Sequence, residues 1–195
     1  MNNRKIKTMV GTALLIAVML VLQFLASVFP IKIGPVSLSL VLIPIVLGAA
    51  TYGITAGGVL GGAFGVMTYI FCVNGMDVGG HMVFQASPIL CFIVVMAKGI
   101  LCGLAAGAVY KWLSKHNGYV AMICAAAICP IVNTGVFLTG MALWFMDVLK
   151  AWASGSDVVG YVLSGLIVVN FLPELGINLL FSPAGQRILR VIKKN

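Results

Sequence analysis

A single lysine in the middle of a long apolar stretch constrains this chain most. The stretch runs from Ile89 to Tyr110, ILCFIVVMAKGILCGLAAGAVY, and Lys98 is its one charged residue. At about 1.5 Å of rise per residue, a helix of this length just crosses a hydrocarbon core of about 30 Å. An ammonium near the bilayer midplane costs about 2.5 kcal/mol or more. Lys98 therefore requires an ion-pair partner, a polar cavity that holds a solute, or both.

The composition predicts a membrane protein. Hydrophobic residues make up 62% of the 195 residues and charged residues 8%, and the mean hydropathy is +1.15. This length holds about five to seven spans, which predicts one membrane domain, 1–195, without a soluble appendage. The five cysteines lie in apolar runs, without a CxxC pair or a Cys/His cluster. Neither a disulfide framework nor a metal site is predicted.

The number of spans depends on the stretch from Ser39 to Val73, which is too long for one ordinary helix. Glycines and β-branched residues weaken a helix at Thr51–Gly58, so we expect two spans with a break there. The first apolar run, Met9–Phe29, is longer than the core of a cleavable signal and counts as a span. The predicted fold is an all-α bundle of six transmembrane helices, at about 8–29, 39–50, 55–73, 88–112, 119–146 and 158–185.

The distribution of basic residues predicts the topology. With six spans, nine lysines and arginines lie on the side of the N-terminus and only Lys32 and Lys150 on the other. Fusing residues 39–73 into one span would leave four inside and seven outside, against the positive-inside rule. Both termini are therefore predicted to be cytoplasmic. The segments 30–38, 74–87 and 147–157 are predicted to be external.

Polar residues inside the later spans are the candidate site. Asn133 follows Pro130 in CPIVNTG, and Asn170, Glu174 and Asn178 are spaced four apart, on one helix face. Such groups face a bundle interior, where Glu174 could pair with Lys98 or line a cavity with it. Because Glu174 is deeper than Lys98, we rank Lys98, Asn133 and Asn170 above Glu174 as direct contacts to a solute.

Two further candidates lie near the predicted outer surface. Trp144 belongs to an aromatic belt or forms a cavity wall. The segment 74–87, NGMDVGGHMVFQAS, contains Asp77, His81 and Gln85. It is either a solvated loop or a mobile lid over a cavity, and Gln85 joins the candidate site in the second case. Asp77 and His81 are two ligands only, so no metal and no cofactor is predicted.

Five motifs follow one another along the chain: the Ala13-xxx-Ala17 pair, the loop between Pro30 and Pro35, AKGILCGLAAGAVYKWL, CPIVNTGVFLTGM and NFLPELGINLLFSPA. Taken together and in order, they resemble the substrate-binding S component of an energy-coupling factor (ECF) vitamin transporter. The resemblance covers nearly the whole chain. It implies that Ala13 and Ala17 dock on a membrane-embedded T component, which works with two cytoplasmic ATPases in a prokaryotic plasma membrane. It also implies that the outer halves of the last three spans enclose a vitamin.

Motif absences narrow the function. The chain has no GxxxxGK[ST], so it does not hydrolyse ATP through a P-loop, and no GxSxG or HExxH indicates an enzyme. The alternative is an autonomous secondary transporter or channel with a charge relay, although no inverted repeat is visible. Lys98 suits a carboxylate such as that of pantothenate or niacin, whereas Glu174 and the asparagines suit a neutral heterocycle or an amide. Pantothenate is slightly favoured, and the other cargoes stay open.

Overall fold

The computed structural model describes residues 3–28, 32–33, 36–37, 40–155 and 157–194, and they form a helical bundle. A short antiparallel hairpin, β1 (Lys32–Ile33) and β2 (Val36–Ser37), lies between the first two helices. A π-helical segment, Val162–Phe171, joins the last two. The helices are α1 (Asn3–Val28), α2 (Leu42–Tyr52), α3 (Ile54–Val73), α4 (Val78–Ala86), α5 (Pro88–Leu113), α6 (Gly118–Trp144), α7 (Met146–Ala153), α8 (Val158–Tyr161) and α9 (Leu172–Lys194).

Within these ranges, five helical stretches are long and apolar enough to cross a bilayer: Lys5–Ala26, Ile54–Val73, Pro88–Leu113, Gly118–Trp144 and Val158–Val191. The predicted second span corresponds to α2, which has 11 residues. At about 1.5 Å per residue it is about 16 Å long, shorter than the hydrocarbon core. The long helices thus have the length and composition of membrane spans, while a sixth span stays a prediction.

The break between α2 and α3 is a single glycine. Gly53 has φ +99°, a backbone conformation that residues with a Cβ rarely adopt, and it separates Tyr52 from Ile54. It lies inside the predicted break at Thr51–Gly58. Seven of the 11 residues of α2 are buried, because this helix contacts α1, α3, α5, α6 and α9.

Helices α3 and α5 pack most closely, through glycines. A Cβ placed on Gly61 would overlap the carbonyl oxygen of Gly99, and a Cβ on Gly57 would overlap that of Gly103. The glycines recur every four residues on each helix and therefore form one stripe that allows backbone contact. We call this contact, formed by Gly57, Gly61, Gly99 and Gly103, the glycine seam.

The two ends of the bundle differ in charge. Contacts of Gly11 with Tyr52, Gly107 with Ile54 and Gly118 with Gln186 bring the start of α1, the α2–α3 and α5–α6 turns and the end of α9 to one end. We call it the basic end, since its described cations are Lys5, Lys7, Lys111, Lys115, Arg187 and Arg190. The opposite, acidic end contains α4 and α7 and carries Asp77, Asp147 and Asp157.

Two segments that were predicted as external loops contain helices. The segment 74–87 contains α4, which buries Gly79 and Val83. The segment 147–157 contains most of α7, which buries Leu149, Trp152 and Ala153 along one face. The indole nitrogen of Trp152 donates a hydrogen bond to Met82 Sδ at 3.2 Å and so ties α7 to α4.

Candidate functional site

The helices separate around a cavity towards the acidic end. It lies between α3, α5, α6, the π-helical segment and α9, with α4 and α7 over it, and its volume is about 90 Å³. This is room for several water molecules or a small organic group. Its polar lining residues are Thr68, Asp77, Lys98, Asn133, Thr134, Asn170 and Glu174, and its large apolar ones include Phe64, Phe137, Trp152 and Leu166.

Lys98 brings a positive charge into this cavity, which the carboxyl groups of Asp77 and Glu174 also line. Its Nζ lies 5.0 Å from the ring centroid of Phe137 and 5.7 Å from that of Phe64. In the described part of the chain the one ion pair within 4.0 Å is Lys150–Asp147, so Lys98 and Glu174 line the same cavity without pairing. Aromatic faces supply about 2 kcal/mol to a desolvated cation, which leaves room for a stronger anionic partner.

Asn133 offers the cavity an unsatisfied acceptor. The residue is 7% exposed, and its Oδ1 is buried without a hydrogen-bond partner. An unmade hydrogen bond of this kind costs about 1–3 kcal/mol. Asn133 therefore gains from any solute that donates an N–H or O–H to it.

The polar residues spaced four apart in the last span, Asn170, Glu174 and Asn178, lie in two different environments. Asn170 and Glu174 line the cavity, and Glu174 is 5% exposed. Asn178 lies one turn closer to the basic end, in a groove between α2, α6 and α9, and its amide donates to the Glu174 carbonyl at 2.9 Å. The π-helical segment that carries Asn170 ends just before Pro173, whose ring would collide with the Val169 carbonyl in a regular α-helix.

The structure does not bring Trp144 or Gln85 to the cavity. Trp144 is half exposed and lies along an outer groove between α5 and α6, beside Ile93 and Leu143. Gln85 is exposed, and its amide donates to His81 Nε2 at 3.0 Å, while His81 Nδ1 donates to the Cys72 carbonyl at 2.7 Å. His81 thus fastens α4 to α3, and Gln85 supports His81 from the next turn of α4. Val83 of α4 lines the cavity, whereas Gln85 does not.

Sequence reasoning missed the aromatic wall. Phe137 and Trp152 stack with centroids 6.4 Å apart and an interplanar angle of 25°, and Phe137 also covers Lys98. Phe137 follows Asn133 by four residues and so shares its helix face, which the sequence could have indicated. For Trp152 the available signal is the spacing of Leu149, Trp152 and Ala153, which is that of an amphipathic helix.

The cavity combines the Lys98 cation, the carboxyl groups of Asp77 and Glu174, the unpaired Asn133 oxygen and aromatic walls below a helical cover. Such an arrangement can bind a small solute that carries an anionic group, a hydrogen-bond donor and an apolar part. Fold and site therefore describe a helical bundle typical of membrane proteins, with a cavity whose lining suits a small solute.

Comparison with known proteins names the family. The profile of the family described as ECF transporter, substrate-specific component, matches residues 7–184, and the chain belongs to this family. The predicted resemblance to an S component is confirmed. Members are membrane-embedded substrate-binding subunits, not enzymes, and they work with ECF T and ATPase modules. No curated protein matches the chain.

Proposed function

We propose that the chain is the high-affinity binding subunit of an ATP-driven ECF importer for a vitamin or a related micronutrient. The observation that carries this proposal is one cavity lined both by Lys98, which makes no ion pair within 4.0 Å, and by Asn133, whose Oδ1 has no hydrogen-bond partner in the described chain. Both groups are costly in a membrane unless a ligand satisfies them. The family supports the subunit role, and the cavity supports the choice of ligand.

The cargo we propose is a small carboxylate that also donates a hydrogen bond, for which pantothenate is the leading candidate. Its carboxylate suits Lys98, its amide N–H or hydroxyl suits Asn133 Oδ1, and its branched apolar part suits Phe137. Niacin has the carboxylate, but at neutral pH its ring nitrogen accepts rather than donates a hydrogen bond. Niacin would leave Asn133 unsatisfied, and we therefore rank it lower.

A binding measurement tests this assignment. The purified full-length chain, examined by native mass spectrometry, is expected to retain a small molecule and to bind added pantothenate more tightly than niacin. Alanine variants of Lys98, Asn133 and Asn170 that remain folded in detergent are expected to lose at least tenfold in affinity, about 1.4 kcal/mol, at two or more positions. Wild-type binding by all three variants would place the ligand elsewhere.

We also propose six spans with both termini in the cytoplasm of a prokaryotic cell. The described part of the basic end carries six cationic side chains, whereas the opposite end carries three carboxylates and one cation, Lys150. This excess of positive charge at the end that contains both termini supports their cytoplasmic location. A single cysteine introduced near the C-terminus should react with an impermeant thiol reagent only after the cells are opened. Labelling of this cysteine in intact cells would contradict a cytoplasmic C-terminus.

The exposed face of α1 is the proposed docking surface for the T component. Ala13 and Ala17 are exposed, and only 11% of the most apolar stretch of α1 is buried inside the bundle. Two small residues four apart allow close approach of another helix. Replacing both by tryptophan should abolish uptake by the whole complex while ligand binding by the isolated chain persists. Loss of binding as well would mean that this face packs within the bundle.

The alternative is an autonomous secondary transporter or channel. The glycine seam counts against it, since backbone contact between α3 and α5 leaves no space between these helices below the cavity. Liposomes that contain only the purified chain should therefore not accumulate labelled pantothenate in response to an ion gradient. Uptake by the chain alone would support the alternative.

A further inference from the structure

A second cavity lies at the basic end, remote from the candidate solute site. It has a volume of about 640 Å³ and is bordered by Tyr110, Ser114, Gly118, Gln186 and Arg190. Gln186 and Arg190 fall outside the residues 7–184 that match the family, so membership does not explain them. The question is which ligand these side chains suit.

The charge around this cavity is unbalanced. The chain has four acidic residues in all. Three lie at the acidic end, and the fourth, Glu174, lies in the solute cavity. The basic end has six cationic side chains in its described part and no acidic one there. The side chains described at this end therefore provide no carboxylate for Arg190, and an external anion is its natural partner.

Arg190 is held ready for such an anion. Its guanidinium carbon lies 4.4 Å from the ring centroid of Tyr119, while the residue as a whole is exposed at the cavity. Stacking on an aromatic face restricts the orientation of the guanidinium plane and leaves its N–H groups free to bind. A planar fork of donors matches the oxygens of a phosphate.

A buried neutral donor lies at the same cavity. Gln186 is 4% exposed, and its Oε1 accepts a hydrogen bond from the Tyr110 hydroxyl at 3.4 Å. This contact orients the amide so that its nitrogen lies beside Gly118, where a Cβ would overlap it. A Cβ at position 118 would displace the Gln186 amide, so glycine there lets the Gln186 nitrogen remain as a donor at the cavity wall.

The surroundings of the cavity are those of a membrane interface. Trp112 is 70% exposed and Val191 63% exposed, next to the basic side chains of α5 and α9. Aromatic residues at the ends of spans lie at the level of lipid headgroups, and exposed aliphatic residues there contact acyl chains. A ligand that is both anionic and apolar fits this mixture better than a free anion or an acidic protein surface.

We propose that this cavity binds the phosphate group of an anionic phospholipid. The Arg190 guanidinium supplies the charge and two donors, the Gln186 amide supplies a third donor, and Val191 contacts the acyl chain. The site is separate from the solute cavity, so it holds whether or not the proposed cargo is correct.

Native mass spectrometry of the full-length protein in detergent, titrated with phosphatidylglycerol, tests the proposal. The variant Arg190→Gln should bind this lipid at least tenfold more weakly than wild type. Its matched control is Arg187→Gln, which removes one exposed charge from the same helix outside the cavity and should change binding less than twofold. Arg190→Lys keeps the charge but loses the planar fork, and we expect at least threefold weaker binding.

Three competitors test which class of ligand the cavity recognises. Phosphatidylcholine and a glutamate-rich peptide should not displace phosphatidylglycerol, and inorganic phosphate should not displace it at millimolar concentration. Equal losses in the two glutamine variants, or wild-type binding by Arg190→Lys, would show diffuse charge attraction and overturn the site. Equal affinity for phosphatidylcholine, or displacement by the peptide, would also overturn it. Displacement by inorganic phosphate would show that the cavity binds free phosphate and would overturn the assignment to a phospholipid.

Discussion

Helices α3 and α5 are in backbone contact along the glycine seam, and other residues of the same two helices line the candidate cavity. Towards the basic end, Gly61 meets Gly99 with no space for a Cβ. Phe64 on α3 and Lys98 on α5 line the candidate cavity, which lies towards the acidic end. The close approach continues alongside the cavity, since a Cβ on Gly65 would lie 2.9 Å from the Val95 carbonyl oxygen.

The glycine seam and the cavity therefore contribute differently to stability and to binding. The glycine seam contains no side chain that needs a polar partner, and its close packing stabilises the bundle. The cavity contains Lys98 and Asn133, whose groups lack an ion-pair partner and a hydrogen-bond partner within the described chain. Substitutions in the seam should consequently affect stability, whereas substitutions in the cavity should affect ligand affinity.

The largest expected effect separates affinity from stability at Lys98. The variant Lys98→Met should weaken binding of a carboxylate ligand by about 2–5 kcal/mol, because it removes one partner of a buried charge pair. The free energy of unfolding of the ligand-free protein should not fall, since an unpaired charge leaves the membrane. Isothermal titration calorimetry and thermal unfolding in detergent measure the two quantities.

The matched control for that prediction is Lys150→Met. Lys150 is exposed at the acidic end and pairs only with Asp147 on the same helix, at 3.1 Å, among described residues. This variant should leave affinity unchanged, because an exposed ion pair contributes about 0–1 kcal/mol to stability and makes no contact with the cavity. Equal losses of affinity in both lysine variants would indicate general electrostatic attraction rather than a contact to Lys98.

The second prediction tests the seam. The variant Gly61→Ala should lower the free energy of unfolding by about 1–3 kcal/mol, because its Cβ overlaps the Gly99 carbonyl and forces the helices apart. The neighbouring variant Gly62→Ala is the control: there a Cβ would meet only Ile100 Cγ1, at an ordinary 3.6 Å. A similar drop in melting temperature for both would contradict the steric seam, because a Gly→Ala change without a clash raises helix propensity and should not destabilise the helix.

The sequence contains enough information for the seam and for the polar part of the cavity. Lys98, Asn133, Asn170 and Glu174 attract attention because polar groups are expensive in a membrane, and the structure places all four around one cavity. Their role in binding stays a prediction. The glycine spacing likewise indicates close helix packing, although the partner of each glycine is visible only in the structure.

The aromatic wall and the helical cover could not be found in the same way. Phenylalanine and tryptophan cost nothing in an apolar span, so no energetic signal distinguishes Phe137, which lines the cavity, from aromatic residues that face lipid. Gly79 and Gly80 also disfavour a helix in the segment 74–87, yet α4 forms there. Its contacts with α3 and α5 override that local preference.

The smallest expected effect distinguishes two tryptophans eight residues apart. The variant Trp152→Phe loses the hydrogen bond to Met82 Sδ and part of the stack on Phe137, and we expect two- to tenfold weaker ligand binding, about 0.5–1.4 kcal/mol. The variant Trp144→Phe should bind like wild type, because Trp144 lies along the outer groove beside Leu143. Both residues lie near the acidic end, so a general disturbance of that end would affect the two variants alike. A loss confined to Trp144→Phe would restore Trp144 as the cavity wall and would require α6 to be rotated about its axis relative to the arrangement described above.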